Sequence, residues 1–301
     1  RTVVVSRGAI AAVTPSGKTP SIARVVPARG KFLIPGMWDM HSHMELTGES
    51  FLPLYAANGV TGIRDMGSDL DFILRLREAT ASGHVVGPRI LAAGPILDDA
   101  PADWPFRMRV KTAEDGRAAV RTLKRRGVDL IKVHDHTPRE AFFAIAKEAR
   151  NQKLRLAGHL PMHVSLQEAI DAGHDDIEHL SNLTIWEQCS GGDEYRPERC
   201  RGPFEELARH HVWQTPTLVF WTEVATIGTP ASRIDPNRIV YVSSSQKKFW
   251  SFNQSLISAG MAEKFRADRP CGWRCYEGYG QSWNSHSGRV RRHDCRFVCA
   301  R

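Results

Sequence analysis

The segment VDLIKVHDHTPREAFFAIAKEARNQKLRLAGHL, residues 128–160, contains two short apolar runs on either side of a stretch with helical periodicity. The runs Leu130–His134 and Leu154–Leu160 are apolar on both faces, which is typical of strands that are covered on both sides. Between them, Pro138–Gln152 carries apolar residues at the spacing of an amphipathic helix. The segment therefore predicts a strand–helix–strand unit with parallel strands.

The same alternation continues in both directions from this unit. Further strands are predicted at Phe32–His41, Val60–Met66, Arg89–Ile96, Asp176–Leu180 and Val212–Phe220. Further helices are predicted at Asp69–Ser82, Ala113–Arg126, Ser165–Ala172 and Phe204–His210. Alternating strands and helices predict an α/β fold, and seven predicted strands in this pattern favour a TIM-type (β/α)8 barrel whose eighth unit is missing or disrupted.

Both ends of the chain differ from this pattern. Residues 1–34 predict a small antiparallel piece with strands at Thr2–Ser6 and Ile10–Val13, too short to fold alone. Residues 35–265 are assigned to the barrel. Residues 266–301 contain eight arginines and four of the six cysteines but no apolar strand. We interpret them as an atypical tail that is not folded and is not the natural continuation of the barrel.

Composition restricts the class of protein. The 301 residues are 42% hydrophobic and 25% charged, as in globular domains, and contain no apolar run long enough for a membrane span. The net charge of +8 is concentrated in the tail, so neither a nucleic-acid nor a membrane partner is expected. A four-cysteine zinc module in the tail is the alternative, and an accidental pattern is favoured. The first residue is Arg1, and the compartment is left open between cytoplasm and export.

Histidines follow several of the predicted strands. His41 and His43 are two residues apart at a strand end, so both side chains are expected on one face. His159 and His179 end two later strands. Each alone is ordinarily a hydrogen-bonded histidine. Because the carboxyl ends of barrel strands meet at one mouth, the four together predict a common metal centre.

Lys132 lies inside the apolar run Leu130–His134. It could reach water by its long stem. Alternatively it is buried, and burial beside metal cations favours the neutral amine. A neutral amine can add carbon dioxide to form a carbamate, an anion whose two oxygens can bridge two divalent cations.

Five motifs in this order resemble the amidohydrolase superfamily, and in particular its imidazolonepropionase-related members and prolidase-type dipeptidases. The resemblance covers about residues 1–260. The motifs are Pro35-Gly36-Met37-Trp38-Asp39-Met40-His41-Ser42-His43, Gly59-Val60-Thr61-Gly62-Ile63-Arg64-Asp65-Met66-Gly67, Ile131-Lys132-Val133, Ala157-Gly158-His159 and Ala172-Gly173-His174-Asp175-Asp176-Ile177-Glu178-His179.

The resemblance implies a (β/α)8 barrel beside a small β-sandwich, of which residues 1–34 would form part. It implies a binuclear centre of two divalent ions, with zinc expected and Mn, Co or Fe as alternatives. His41 and His43 would hold the more buried ion, and His159 and His179 the more exposed one. Carboxylated Lys132 would bridge them, and Lys132 and His179 would carry catalytic roles.

The implied reaction is hydrolysis of an amide or peptide-like C–N bond by a metal-bound hydroxide, on a small-molecule or dipeptide substrate. The family also has an Asp that ends strand eight, and neither Asp268 nor Asp294 follows an apolar strand. The chain is therefore expected to be impaired and poorly stable. The alternatives are a non-catalytic metal-binding remnant, or a lactone or phosphoester hydrolase on the same ions. A homo-oligomer is left open.

Other polar residues have less specific interpretations. His134 shares the face of Lys132, and either contacts substrate or supports the site. Asp65 is expected to cap the following helix. His174 is interpreted as a surface residue. Arg107 and Arg109 are placed on a solvated loop, with recognition of a substrate carboxylate as the alternative.

Overall fold

The computed structural model describes residues 1–15, 21–100, 106–179, 197–217, 219–220, 239–244 and 246–248. The chain divides into two compact units, Arg1–Pro35 and Gly36–Arg301. In the first unit, strand β1 (Thr2–Ser6) pairs antiparallel with β2 (Ala9–Thr14). Several apolar side chains of this unit are exposed, among them Val5 and Ile10.

The second unit alternates strands and helices. Its strands are β3 (Met37–Ser42), β4 (Val60–Asp65), β5 (Arg89–Ala92), β6 (Ile96–Asp98), β7 (Arg107–Arg109), β8 (Leu130–Val133), β9 (Arg155–Gly158), β10 (His174–Glu178) and β11 (Trp213–Thr215). Its helices are α1 (Met44–Thr47), α2 (Leu52–Ala57), α3 (Leu70–Ala81), α4 (Ala113–Arg126), α5 (Arg139–Asn151), α6 (Leu166–Ala172) and α7 (Pro197–Arg209), with short 3₁₀ turns at Glu49–Phe51 and Ile239–Tyr241.

The strands of this unit pair in parallel throughout the described residues. One sheet has the order β3-β4-β5, and the other has the order β11-β10-β9-β8-β6-β7. Strands that are neighbours in sequence are largely neighbours in space, with helices between them, as in other α/β folds. The predicted α/β fold with parallel strands is confirmed. None of the described helices is long and apolar enough to cross a membrane.

Four of the five helix predictions agree with the structure to within one residue at each end, whereas Phe204–His210 covers only the second half of α7 (Pro197–Arg209). Local capping chemistry explains the agreement for α4 and α6. Helix α4 begins after Thr112, whose hydroxyl accepts from Asp115 N while the Asp115 carboxylate accepts from Thr112 N. It ends at Gly127, whose left-handed φ of 84° stops the helix. Ser165 and Glu168 form the same capping box for α6. Such caps contribute about 1 kcal/mol each.

The strand predictions were less accurate at their ends. Of the predicted run Phe32–His41, only the part from Met37 onward lies in strand β3, which continues to Ser42. The predicted strand Arg89–Ile96 divides into β5 and β6, because Gly94 adopts a left-handed φ of 71°. Residues 266–301 lie outside the described residues.

Helices α4 and α5 pack over strands β8 and β9. Val120, Leu123, Phe142 and Ile145 are fully buried in this core. Each such side chain contributes about 1.5–3 kcal/mol by leaving water. The packing fixes the two strands whose carboxyl ends carry residues 132–135 and 159.

Candidate metal centre

The predicted ligands lie at the carboxyl ends of parallel strands. His41 is the second-to-last residue of β3, and His43 directly follows this strand at the N-cap position of helix α1. His159 follows β9, and His179 follows β10. Lys132 is the third residue of β8.

These strand ends bring the imidazoles together. The Nε2 atoms of His41 and His43 lie 3.1 Å apart. The ring centroids of His41 and His179 are 4.3 Å apart, and those of His179 and His159 are 4.9 Å apart. The structure therefore gathers all four predicted histidines into one cluster.

Each imidazole on β3 is oriented through its Nδ1 atom. His41 Nδ1 lies 2.5 Å from Glu178 Oε2, and His43 Nδ1 lies 2.9 Å from the carbonyl oxygen of Gly67. A carbonyl oxygen can only accept, so His43 Nδ1 donates. Burial raises the pKa of Glu178 to about 8, but its ion pair with Arg64 keeps it a carboxylate, which accepts from His41 Nδ1. In the neutral rings, both Nε2 atoms then present lone pairs towards each other.

The other two imidazoles are held in the same way. His159 Nδ1 donates to Asp135 Oδ1 at 2.9 Å, and His179 Nδ1 lies 2.6 Å from the Thr217 hydroxyl. His179 also adopts a left-handed φ of 64°, and its backbone N donates to Thr215 O at 2.8 Å. This conformation is uncommon outside glycine and turns the side chain at the strand end.

The donor set fits a divalent cation. Two unprotonated Nε2 atoms that face each other repel unless a cation lies between them. Tetrahedral or octahedral coordination at the usual Zn–N length places two nitrogens roughly 2.9–3.4 Å apart, which includes the 3.1 Å between His41 and His43. Partners of this kind on the second ring nitrogen are characteristic of metal-binding histidines.

Burial keeps these rings neutral. It lowers the pKa of His43 to about 4 and that of His41 and His179 well below the ordinary value, and the neighbouring charges of Lys132 and other imidazoles act in the same direction. Burial also lowers the pKa of His159. Neutral imidazole is the form that binds a metal.

Lys132 is buried, with 1% of its surface exposed. Burial lowers the pKa of its amine to about 8, although the carboxylate of Glu178 opposes the shift. The amine is therefore much closer to its neutral form at neutral pH than an exposed lysine is.

A second group of possible ligands overlaps this cluster. One donor atom from each of His134, Asp135 and His159 lies within 4.8 Å of the other two. However, the rings of His134 and His159 are stacked at 3.9 Å with 26° between their planes. Their lone pairs run in similar directions rather than towards one point, so the geometry favours Asp135 as the hydrogen-bond partner of His159.

Two polar residues, His174 and Asp65, differ from the sequence interpretation. His174, predicted at the surface, is buried at 1% exposure because strand β10 directs it against the ring of Phe142. Asp65 does not cap α3, which Asp69 caps; the Asp65 carboxylate accepts from Met44 N at 2.7 Å.

The two arginines of β7 lie in different environments. Arg107 is largely buried and forms an ion pair with Asp98 at 3.2 Å, so the solvated-loop prediction is wrong for it. Arg109 is half exposed and pairs with Asp99. His134 lies near the first of these pairs, with its Nδ1 atom 3.7 Å from Asp98 Oδ2.

The sequence analysis missed the groups that orient the rings. Glu178 and Asp135 are acidic residues that directly precede His179 and directly follow His134, and Glu178 ends strand β10, in which Ile177 is the one apolar residue. The signal for Glu178 is its position directly before the candidate ligand His179 at the end of a predicted strand. Thr217 and the carbonyl of Gly67 carry no such signal.

Comparisons with known proteins identify the family of the chain. The sequence matches the amidohydrolase family over residues 32–229, about two thirds of the chain. The chain belongs to the amidohydrolase family. This confirms the family and the enzyme class predicted from the motifs, hydrolases that act on carbon–nitrogen bonds. A comparison with curated protein sequences finds no match.

Solved structures of family members are similar to this amidohydrolase in fold. A prolidase in complex with N-methylphosphonate-L-proline has a TM-score of 0.62 at 19% identity, covering 91% of this chain and 69% of the prolidase. A bottromycin amidohydrolase has a TM-score of 0.62 at 23% identity, covering 82% and 56%. Another amidohydrolase has a TM-score of 0.61 at 21% identity, covering 93% and 70%. The chain thus spans between about half and about two thirds of the length of these relatives.

Proposed function

We propose that this chain is a metal-dependent hydrolase of an amide or peptide-like C–N bond, with a binuclear centre of two divalent ions, zinc being expected. His41, His43, His159 and His179 would hold the ions, with Lys132 between them. The observation that carries the proposal is the distance of 3.1 Å between the Nε2 atoms of His41 and His43, which face each other.

The bound ions would supply Lewis-acid activation of water and of the scissile carbonyl. The protein residues hold this chemistry in place. Four Nδ1 contacts fix the imidazole planes, so the side chains need no reorganisation when substrate arrives. The side chain of His134 is 22% exposed beside His159, and we assign it to substrate contact.

Lys132 would complete the centre as a carbamate. Its neutral amine attacks carbon dioxide, a new N–C bond forms, and the amine proton leaves to solvent, which gives a carbamate anion. Burial and the lowered pKa of about 8 favour the neutral amine that this step requires. The anion would offset part of the charge of two divalent ions.

We also propose that the chain forms a (β/α)8 barrel beside a partial β-sandwich. The aspartate with which the family ends strand eight is not assigned to a residue of this chain. Because Asp268 and Asp294 lie outside the described residues, no residue receives the role of proton carrier. We propose weak turnover for this chain. A small amide or dipeptide is the favoured substrate class, because two of the similar structures are a prolidase and a bottromycin amidohydrolase.

A reconstitution experiment tests this proposal. Chelator-treated protein is reloaded with zinc, manganese or cobalt, and incubated with N-acyl amino acids and dipeptides, lactones and phosphotriesters. We expect slow, metal-dependent release of amine from the amides, lost in His179→Ala and retained in His84→Ala, whose ring lies on the exposed surface. Turnover only of lactones or phosphotriesters would replace the amide assignment. Metal binding without any turnover would indicate a non-catalytic relative.

A further inference from the structure

Arg64 is a charged side chain in the interior of the second unit. Only 6% of it is exposed, and it lies in strand β4 between Ile63 and Asp65. Its Nε donates to Met40 O at 2.7 Å, and its terminal nitrogens donate to the Asp176 carboxylate, to Glu178 Oε1 at 2.5 Å and to Thr215 Oγ1 at 3.0 Å. One guanidinium thus connects β3, β4, β10 and β11.

Glu178 divides its two oxygens between different partners. It is fully buried, Oε1 accepts from Arg64, and Oε2 lies 2.5 Å from His41 Nδ1. Because the planar guanidinium fixes one oxygen, the other oxygen has a single direction, towards the imidazole. A continuous path of two hydrogen bonds therefore joins Arg64 to His41.

We propose that Arg64 is a positioning residue, which acts through Glu178 to hold His41 as the Nδ1–H tautomer with Nε2 directed at the cation. The proposal rests on the metal centre of the proposed function. Arg64 itself does not contact the cluster of ring Nε2 atoms. Its effect is on the orientation and tautomer of one ligand, as carboxylate partners of metal-binding histidines act in general.

The contrasting interpretation is that Arg64 only neutralises buried acids and stabilises the fold. Asp176 separates the two interpretations, because its carboxylate accepts from Arg64 and from the Thr215 hydroxyl but does not contact His41. Asp176→Asn is the matched control: it removes one buried charge from Arg64 and leaves the path through Glu178.

The test measures tautomer and metal affinity separately. Two-bond ¹H–¹⁵N spectra of metal-free protein, with His41 assigned from a His41→Asn variant, report which ring nitrogen carries the proton. Zinc affinity is measured by competition with a chromophoric chelator. Glu178→Gln presents an amide NH₂ to His41 while its oxygen still accepts from Arg64, so we expect the proton on Nε2 and affinity for the tighter cation about 10- to 100-fold weaker.

Arg64→Met should move the His41 signals away from those of the wild-type Nδ1–H tautomer and should weaken zinc affinity by the same factor. The double variant should be no weaker than either single variant, because both break one path. Asp176→Asn should keep the wild-type tautomer and stay within about threefold of wild-type affinity. Arg64→Lys, which preserves the charge but not the fork, is measured in case Arg64→Met does not fold.

Wild-type tautomer and affinity in folded Arg64→Met, or losses that multiply in the double variant, would overturn the inference. An equal loss in Asp176→Asn would also overturn it, because the effect would then follow from buried charge alone. If wild-type protein binds no zinc, the proposed function fails, while the tautomer of the metal-free variants still decides the role of Arg64.

Discussion

His41 and His43 face each other through their Nε2 atoms at 3.1 Å, and both rings have their Nδ1 atoms engaged by oxygen acceptors. The two residues are two positions apart at the end of β3, so strand geometry places them on one side. Because Nδ1 of His41 contacts Glu178 and Nδ1 of His43 contacts the carbonyl of Gly67, the Nε2 lone pairs of both rings are directed at the same point. A pair of neutral histidines arranged in this way is a chelating unit.

Replacing one member of the pair should remove its cation. We expect His43→Ala to lose about one divalent cation per chain, since a single imidazole cannot chelate. Elemental analysis after dialysis against zinc measures the loss. His84→Ala is the control, because His84 is exposed and hydrogen-bonds to Ser82. Equal metal content in His43→Ala and wild type would contradict the assignment.

Lys132 provides a second, independent test of the centre. Lys132→Ala should weaken both cations, because the residue is proposed to bridge them, and it should abolish the carbamate signal that ¹³C-bicarbonate gives in wild-type protein. Lys147→Ala removes a lysine from the exposed face of α5 and should change neither measurement. If Lys132→Ala retains two cations at wild-type affinity, Lys132 does not bridge.

Gly158 should be intolerant of any side chain. Its φ is +136°, and an added Cβ would lie 2.2 Å from Val133 O, between β8 and β9. We expect Gly158→Ala to lower the free energy of unfolding by at least about 2 kcal/mol, or to prevent folding. Gly83→Ala is the control for backbone strain alone, because Gly83 has φ +77° with nothing within 4 Å of an added Cβ. It should cost about 1 kcal/mol.

Urea unfolding monitored by circular dichroism gives both values. Similar costs for the two glycine variants would show that the clash with Val133 O is relieved without strain, and that strands β8 and β9 can separate locally.

His174 should make the protein sensitive to acid. Within the described part of the chain neither ring nitrogen makes a hydrogen bond of normal geometry, and burial lowers its pKa from 6.5 to about 4, although the nearby backbone groups of Asp176 and Gly158 oppose the shift. The unfolded state therefore binds a proton more readily, so stability falls as the pH decreases from about 6.5 to about 4 and is independent of this group at higher pH.

His174→Leu should remove this dependence. We expect it to stabilise metal-free protein by about 1 kcal/mol at pH 7, because two buried polar atoms without partners are lost. The difference from wild type should increase at pH 5. Unfolding free energies at both pH values measure it, and a difference that does not grow on acidification would contradict the burial of a neutral ring.

The parts of the structure that depend on local chemistry were predictable from the sequence. Helix α4 was predicted with its observed bounds, Ala113–Arg126, because Thr112 is its N-cap and Gly127 its C-cap. The convergence of His41 and His43 with His179 also followed, since parallel strands present their carboxyl ends at one edge.

The parts that depend on tertiary contacts were not predictable. His174 stands beside Asp175 and Asp176 in the sequence, which resembles a polar surface segment, yet the strand buries it. The contact between Arg64 and Glu178 joins residues 114 positions apart. No local pattern indicates which buried acid will meet which buried base.

The stoichiometry of bound metal tests the central claim most directly. Purified chain, stripped with chelator, dialysed against zinc and then against metal-free buffer, is submitted to elemental analysis alongside a His41→Asn/His43→Asn variant. We expect about two zinc ions per wild-type chain and a clear loss in the variant. Wild-type protein without bound zinc, or equal zinc in both proteins, would contradict it.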